Sequence, residues 1–106
     1  MITVLLESPL AGWVERNMAY ARNCMLDCLR RGEAPFASHL LYTQVLDDCE
    51  PSDREIGILA GLALGARLEK SVVYTDLGVS RGMRRGIEDA HCKGRPVEFR
   101  TLEGWR

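Results

Sequence analysis

The stretch "SVVYTDLGVSRGMRRGIEDAHCKGRPVEFRT", Ser71–Thr101, decides the fold. Val72, Val73 and Tyr74 form a short β-branched and aromatic run closed by Asp76 and Gly78, the signature of a buried strand ending in a turn. Ser80 is a good helix N-cap, and the segment it opens runs to about Lys93. Pro96–Thr101 is again strand-like. Strand, helix and strand within some thirty residues make a βαβ unit, which requires parallel strands and a right-handed crossover.

Working outward, the pattern repeats. Ile2–Glu7 is apolar without alternation, as expected of a strand covered on both faces. From Trp13 to Arg31, Val14, Met18, Ala21, Met25 and Cys28-Leu29 recur at steps of three and four and mark one helix face, and Gly32 ends the helix. Ala34–Leu41 reads as a second, weaker strand running into a loop. Ser52 reads as an N-cap with Glu55 completing a capping box, opening a helix that runs to about Leu68. The order β-α-β-α-β-α-β predicts a single domain over residues 1–106, a small doubly wound α/β fold of the flavodoxin or Rossmann-like kind, with a four-stranded parallel sheet and helices on both faces.

Composition sets limits on function. Fourteen basic and fifteen acidic residues give a net charge of −1, which argues against a general nucleic-acid or membrane-surface binder. The N-terminus lacks the basic region and cleavage site of a secretory signal, and the near-apolar run Ile56–Leu68 is shorter than the roughly 20 residues of a membrane span. Cys24, Cys28, Cys49 and Cys92 show no paired C-x-x-C spacing and read as reduced thiols of a cytoplasmic protein, with no metal or other cofactor expected.

In open α/β sheets ligands sit beyond the carboxyl ends of the strands. Those ends are Glu7–Gly12, Ser38-His39 and Thr75–Ser80. The third carries the strongest signal. Arg81, Arg84 and Arg85 crowd the start of a helix, where cations oppose the helix dipole by about 0.3–1 kcal/mol each unless an anion docks there. The alternative is a pair of solvated intrahelical contacts, Arg84–Glu88 and Arg85–Asp89, four residues apart.

Three segments, "ESPLAG", "GEAPFASHLL" and "YTDLGVSRGMRRGIEDA", give the chain a resemblance to the nucleoside 2-deoxyribosyltransferase-like superfamily, which includes small nucleotide N-glycosidases and uncharacterised phage and bacterial relatives. Ser80, Gly82, Ile87 and Ala90 fit the family pattern S-x-G-x-x-x-E-[I/L]-x-x-A. The resemblance implies a nucleotide-like small-molecule ligand, a homo-oligomer and, in its usual form, a carboxylate nucleophile attacking an anomeric carbon. The nucleophile's position here is Gly86, and the family's acidic residue before the third strand falls near Lys70 or Ser71. Both departures argue against the usual chemistry.

The expectation is therefore a protein that holds a nucleotide-derived ligand, with Ser8, Gly12, His39, Asp76, Ser80, Gly82 and Arg84 around it and phosphate at the last helix's N-terminus. One alternative is an N-glycosidase or deoxyribosyltransferase using a substitute carboxylate, drawn from Glu7, Asp76 and Glu88, with His39 as an acid–base candidate. A structural oligomeric module is the other. For it the ladder Gly57, Gly61, Gly65 is the main signal, since glycines at helical spacing mark close backbone approach.

Overall fold

The computed structural model describes residues 1–105. Its elements are β1 (Ile2–Glu7), α1 (Val14–Arg30), β2 (Glu33–Phe36), α2 (Ser38–Leu41), a 3₁₀ turn (Tyr42–Gln44), α3 (Pro51–Gly65), β3 (Lys70–Tyr74), α4 (Arg81–Cys92) and β4 (Val97–Arg100). The strands form one parallel sheet in the order β2-β1-β3-β4. Alternate side chains of the central strands point to opposite faces. Val4, Leu6, Val72 and Tyr74 meet Tyr20, Cys24 and Cys28 of α1 on one face. On the other, Leu5 and Glu7 meet Gly65 of α3 and Gly86 of α4. The doubly wound α/β architecture expected from the sequence is the one observed.

Three local expectations are corrected. The second strand stops at Phe36, and Ser38–Leu41 is helical. Its register explains the early end: β2 is an edge strand whose pairing with β1 runs out at Leu5↔Phe36. The helix α3 is capped not by Ser52 but by Glu50, whose Oε1 accepts from the Ser52 N–H at 3.4 Å and the Ser52 hydroxyl at 3.1 Å. Pro51 fits the first helical position because it lacks an N–H that would have no helical acceptor, and this moves the start forward. The buried face of α1 is Asn17, Tyr20, Ala21, Cys24 and Cys28, while Val14 and Leu29 are exposed. The apolar count found Ala21 and Cys28, and Met25 packs against the core beside them, but it passed over Asn17 and Tyr20, which carry polar atoms.

Those two residues work on loops. The Asn17 side-chain amide donates to the carbonyl oxygens of Leu10 and Ala11 at 2.9 and 3.1 Å, pinning the loop after β1 onto α1. The Tyr20 hydroxyl bonds to Asp76, which also accepts from the Leu102 N–H at 2.9 Å. Trp105 meets Tyr20 edge-on at 4.8 Å between ring centroids, so the C-terminal segment closes over α1. Gly12 and Gly78 turn the loops after β1 and β3 at φ +99° and +85°, a region an L side chain rarely enters.

Candidate functional site

From β1 the chain steps outward to β2, then returns across β1 to β3 and on to β4. The direction reverses between β1 and β3, so their carboxyl ends part and leave a crevice. A cleft of about 220 Å³ occupies that place. Its walls come from four segments: Glu7, Ser8, Leu10 and Ala11 after β1; Ser38 and His39 of α2; Asp48, Arg54, Ile58 and Gly61 on and before α3; and Ser80–Met83 with Gly86 at α4.

Helix α4 opens on this cleft. The Ser80 Oγ accepts from the Met83 N–H at 3.3 Å, the cap expected from the sequence. The N–H groups of Arg81 and Gly82 precede any helical acceptor and stay free for a ligand. Arg81 lines the cleft from this side, and Arg54 lines it from α3. Neither is ion-paired among the described residues. Arg85 is different. It makes a two-pronged contact with Glu55 of α3 at 2.9 and 3.0 Å, not the expected pair with Asp89, because α3 and α4 lie side by side while Asp89 faces Lys93 and Arg95.

On the cleft floor the Ser8 hydroxyl and His39 Nε2 are 2.6 Å apart. Burial holds His39 down to about 4, so its ring is neutral near pH 7 and serves as a hydrogen-bonding partner rather than a proton donor. Beside them is Glu7. Burial raises it to about 8; Arg95 pulls it back down and Asp89 pushes it further up. At neutral pH Glu7 is largely a neutral carboxylic acid, which leaves Asp48 as the other acidic residue in a lining that also holds Arg54 and Arg81.

Glu7 and Gly86 share one space. A Cβ at Gly86 would lie 1.9 Å from Glu7 Oε2 and 2.6 Å from its Cδ. The volume over residue 86 is filled by a carboxyl group supplied from the strand.

Of the residues singled out in the sequence, Glu7, Ser8, His39, Ser80 and Gly82 come together here. Gly12, Asp76, Arg84 and Glu88 are not among the lining residues. Asp76 is held on the α1 side by Tyr20 and Leu102, and Arg84 and Glu88 are exposed on α4. Arg81, from the arginine cluster, and Ser38, at the second strand end, also line the cleft, as does Asp48 from the loop before α3; Arg54 lines it without having been singled out. A signal for Arg54 was present: it stands three, seven and eleven residues before Gly57, Gly61 and Gly65, on the same face of α3.

Residues 2–100 match the family described as Domain of unknown function (DUF7768). The chain belongs to DUF7768. No curated protein matches it. A solved structure of a 2-deoxyribosyltransferase from Bacillus psychrosaccharolyticus, a biocatalyst for the synthesis of antiviral and antitumoral nucleosides, superposes with a TM-score of 0.65 and 14% identity over 98% of this chain and 75% of that one. At that identity the likeness is one of fold. It bears out the fold that the three sequence segments implied, and leaves the function of this DUF7768 member to be argued from its own residues.

Proposed function

We propose that the protein binds a nucleotide-derived, anionic small molecule in the cleft beyond β1 and β3. The phosphate would sit on the free N–H groups at the start of α4, with Ser80, Gly82 and Arg81 around it and Arg54 opposite. The observation that carries this reading is the pair of arginines on separate walls of one cleft, without carboxylate partners among the described residues, at the N-terminus of a helix. An anion there gains from the helix dipole and from charge-assisted hydrogen bonds together. The shared fold with a deoxyribosyltransferase supports a nucleoside as the rest of the ligand.

Thermal shifts with matched nucleosides, nucleoside monophosphates and inorganic phosphate test it. A monophosphate should stabilise the protein more than its nucleoside, since a ligand selective for the native state raises apparent stability by mass action. Arg81→Ala and Arg54→Ala should each erase that difference, while Arg84→Ala, outside the lining, should not. Equal shifts for nucleoside and monophosphate in the wild type would overturn the phosphate reading.

A second reading, cleavage of an N-glycosidic bond, is favoured by the carboxyl of Glu7 over Gly86. In it a Glu7 oxygen bonds to the anomeric carbon, and the C–N electrons leave with the base, which takes a proton from solvent. Water then opens the glycosyl ester and restores the carboxylate. Because the attacking form is ionised, release of free base should climb as pH rises through about 8 and vanish in Glu7→Gln. Base release that falls over the same range would rule out Glu7 as the nucleophile.

A further inference from the structure

Gly86 and Asp89 are three residues apart and share the face of α4 that packs on the sheet. Glu7 fills the space at the first, and Arg95 meets the second, Nη2 to Oδ2, at 3.6 Å. Arg95 lies in the turn between α4 and β4, its N–H bonded to the Ala90 carbonyl at 2.8 Å. Its side chain returns beneath the helix, and its Nε donates to the Ser71 hydroxyl at 2.9 Å. In the parallel register Ser71 stands beside Leu5 and Val73 beside Glu7, so Arg95 is anchored one side-chain step from Glu7 on the same face.

The contact between Arg95 and Asp89 is close but not closed. Arg95 is only 7% exposed, yet its Nη2 has no hydrogen-bond partner, and neither has Asp89 Oδ2. Buried polar atoms in a native structure are nearly always satisfied, so a facing pair of orphans calls for a reason. Next to them the carboxyl of Glu7 also has no hydrogen-bond partner among the described residues. Three charge-bearing groups thus lie in one row beneath α4, Arg95 buried and Glu7 and Asp89 half-buried, with a donor nitrogen unused.

We propose that Arg95 is the positioning residue for Glu7, its free guanidinium nitrogen serving as counter-charge when Glu7 gives up its proton, with Asp89 competing for the same guanidinium. The inference deepens the proposed function and rests on Glu7 being the functional carboxyl of the cleft. The opposite pulls of Arg95 and Asp89 on Glu7 support it. The other charged or titratable groups around Glu7 are Arg81 from α4, neutral His39 from α2, Arg54 from α3 and Asp48 from the preceding loop; the neighbouring strand β3 offers apolar Val73. Arg54 and Arg81 are exposed and screened by water, whereas Arg95 is not.

The test needs no ligand. In protein carrying ¹³C at glutamate side-chain carboxyls, the Glu7 resonance, assigned by its loss in Glu7→Gln, is followed by NMR across pH. Arg95→Met should raise the Glu7 midpoint by about one pH unit or more, and Arg95→Lys should recover part of that rise. Asp89→Asn, which frees the guanidinium, should lower the midpoint. It keeps the proposal exposed even if Arg95→Met does not fold. A midpoint unmoved in Asp89→Asn, or unmoved in a folded Arg95→Met, would overturn it. A null result in the ligand panel with these shifts intact would instead remove the binding reading and leave the coupling standing.

Discussion

At the scale of single residues, the shared space of Glu7 and Gly86 makes a reciprocal prediction. Gly86→Glu in the wild type forces two carboxyl side chains into one volume, since even the Cβ lies 1.9 Å from Glu7 Oε2. The same change in a Glu7→Ala background meets an emptied site. Overpacking of this sort typically costs about 1–3 kcal/mol. In a double-mutant cycle by urea denaturation, Glu7→Ala and Gly86→Glu should therefore couple favourably by about 1 kcal/mol or more. Additive effects would mean that the two positions do not share space in solution. The identities of both residues were legible in the sequence: Gly86 as a missing carboxylate, Glu7 as one of several stand-ins. What singles out Glu7 was not legible, because it depends on the depth at which α4 sits over β1. Asp76 shows the converse. It follows the strand next to Glu7 in the sheet, yet Tyr20 and Leu102 draw it to the α1 side, and no local pattern announces a contact fifty-six residues away.

At the scale of elements, the glycine ladder of α3 is accounted for within the chain. A Cβ at Gly61 would meet Ser38 Oγ at 2.8 Å and one at Gly65 would meet Leu5 Cδ2 at 2.7 Å, so the bare face lets α3 lie on α2 and β1. The spacing announced close approach, but not whether the neighbour was the same chain or another. In consequence the ladder carries no argument for self-association, and exposed Ile56 and Leu59 lie elsewhere on the helix. Glycines of the two helices should answer differently to one substitution. Gly65→Ala presses on Leu5, which is 3% exposed and fixed in the core, and should cost about 1–3 kcal/mol. Gly82→Ala meets nothing within 4 Å and should be neutral or stabilise the free protein by up to about 1 kcal/mol. Thermal unfolding of the pair is the measurement. The reverse order would mean that α3 stands further from the sheet than its contacts indicate. The short α2 is where sequence reading failed most, since "ASHLL" is apolar enough for a strand. It turns helical once β2 runs out of partner, and that turn sets Ser38 and His39 in the cleft wall.

At the scale of the whole molecule, charge is arranged in two layers on opposite faces of the sheet. Under α1, Arg100 reaches Glu33 through both guanidinium nitrogens at 2.7 and 2.6 Å, and its Nε donates to Glu98 at 2.6 Å, tying β2 to β4 across the sheet. Arg100→Met leaves Glu33, only 8% exposed, with just the 3.9 Å contact of Lys70 Nζ, and should cost about 3 kcal/mol, part of which Glu33→Gln should return. A loss near zero in urea denaturation would mean that water already reaches Glu33. On the other face, Glu7 and His39 govern the pH dependence. The folded protein keeps the Glu7 proton up to about 8, whereas the unfolded chain releases it near 4.5, so stability from this group falls as pH rises between those values. His39 is held down to about 4 from 6.5; its contribution is complete above 6.5 and lost as pH falls toward 4. Between 4.5 and 6.5 the two slopes oppose each other, and above 6.5 Glu7 acts alone. Stability should then decline from about pH 6.5 to 8 by at most about 1.4 kcal/mol per unit, and Glu7→Gln should flatten that decline while exposing the acid-side slope of His39. A wild-type profile level across that upper window would mean that Glu7 ionises freely, and the reading of Glu7 as a carboxyl held neutral in this cleft would have to be abandoned.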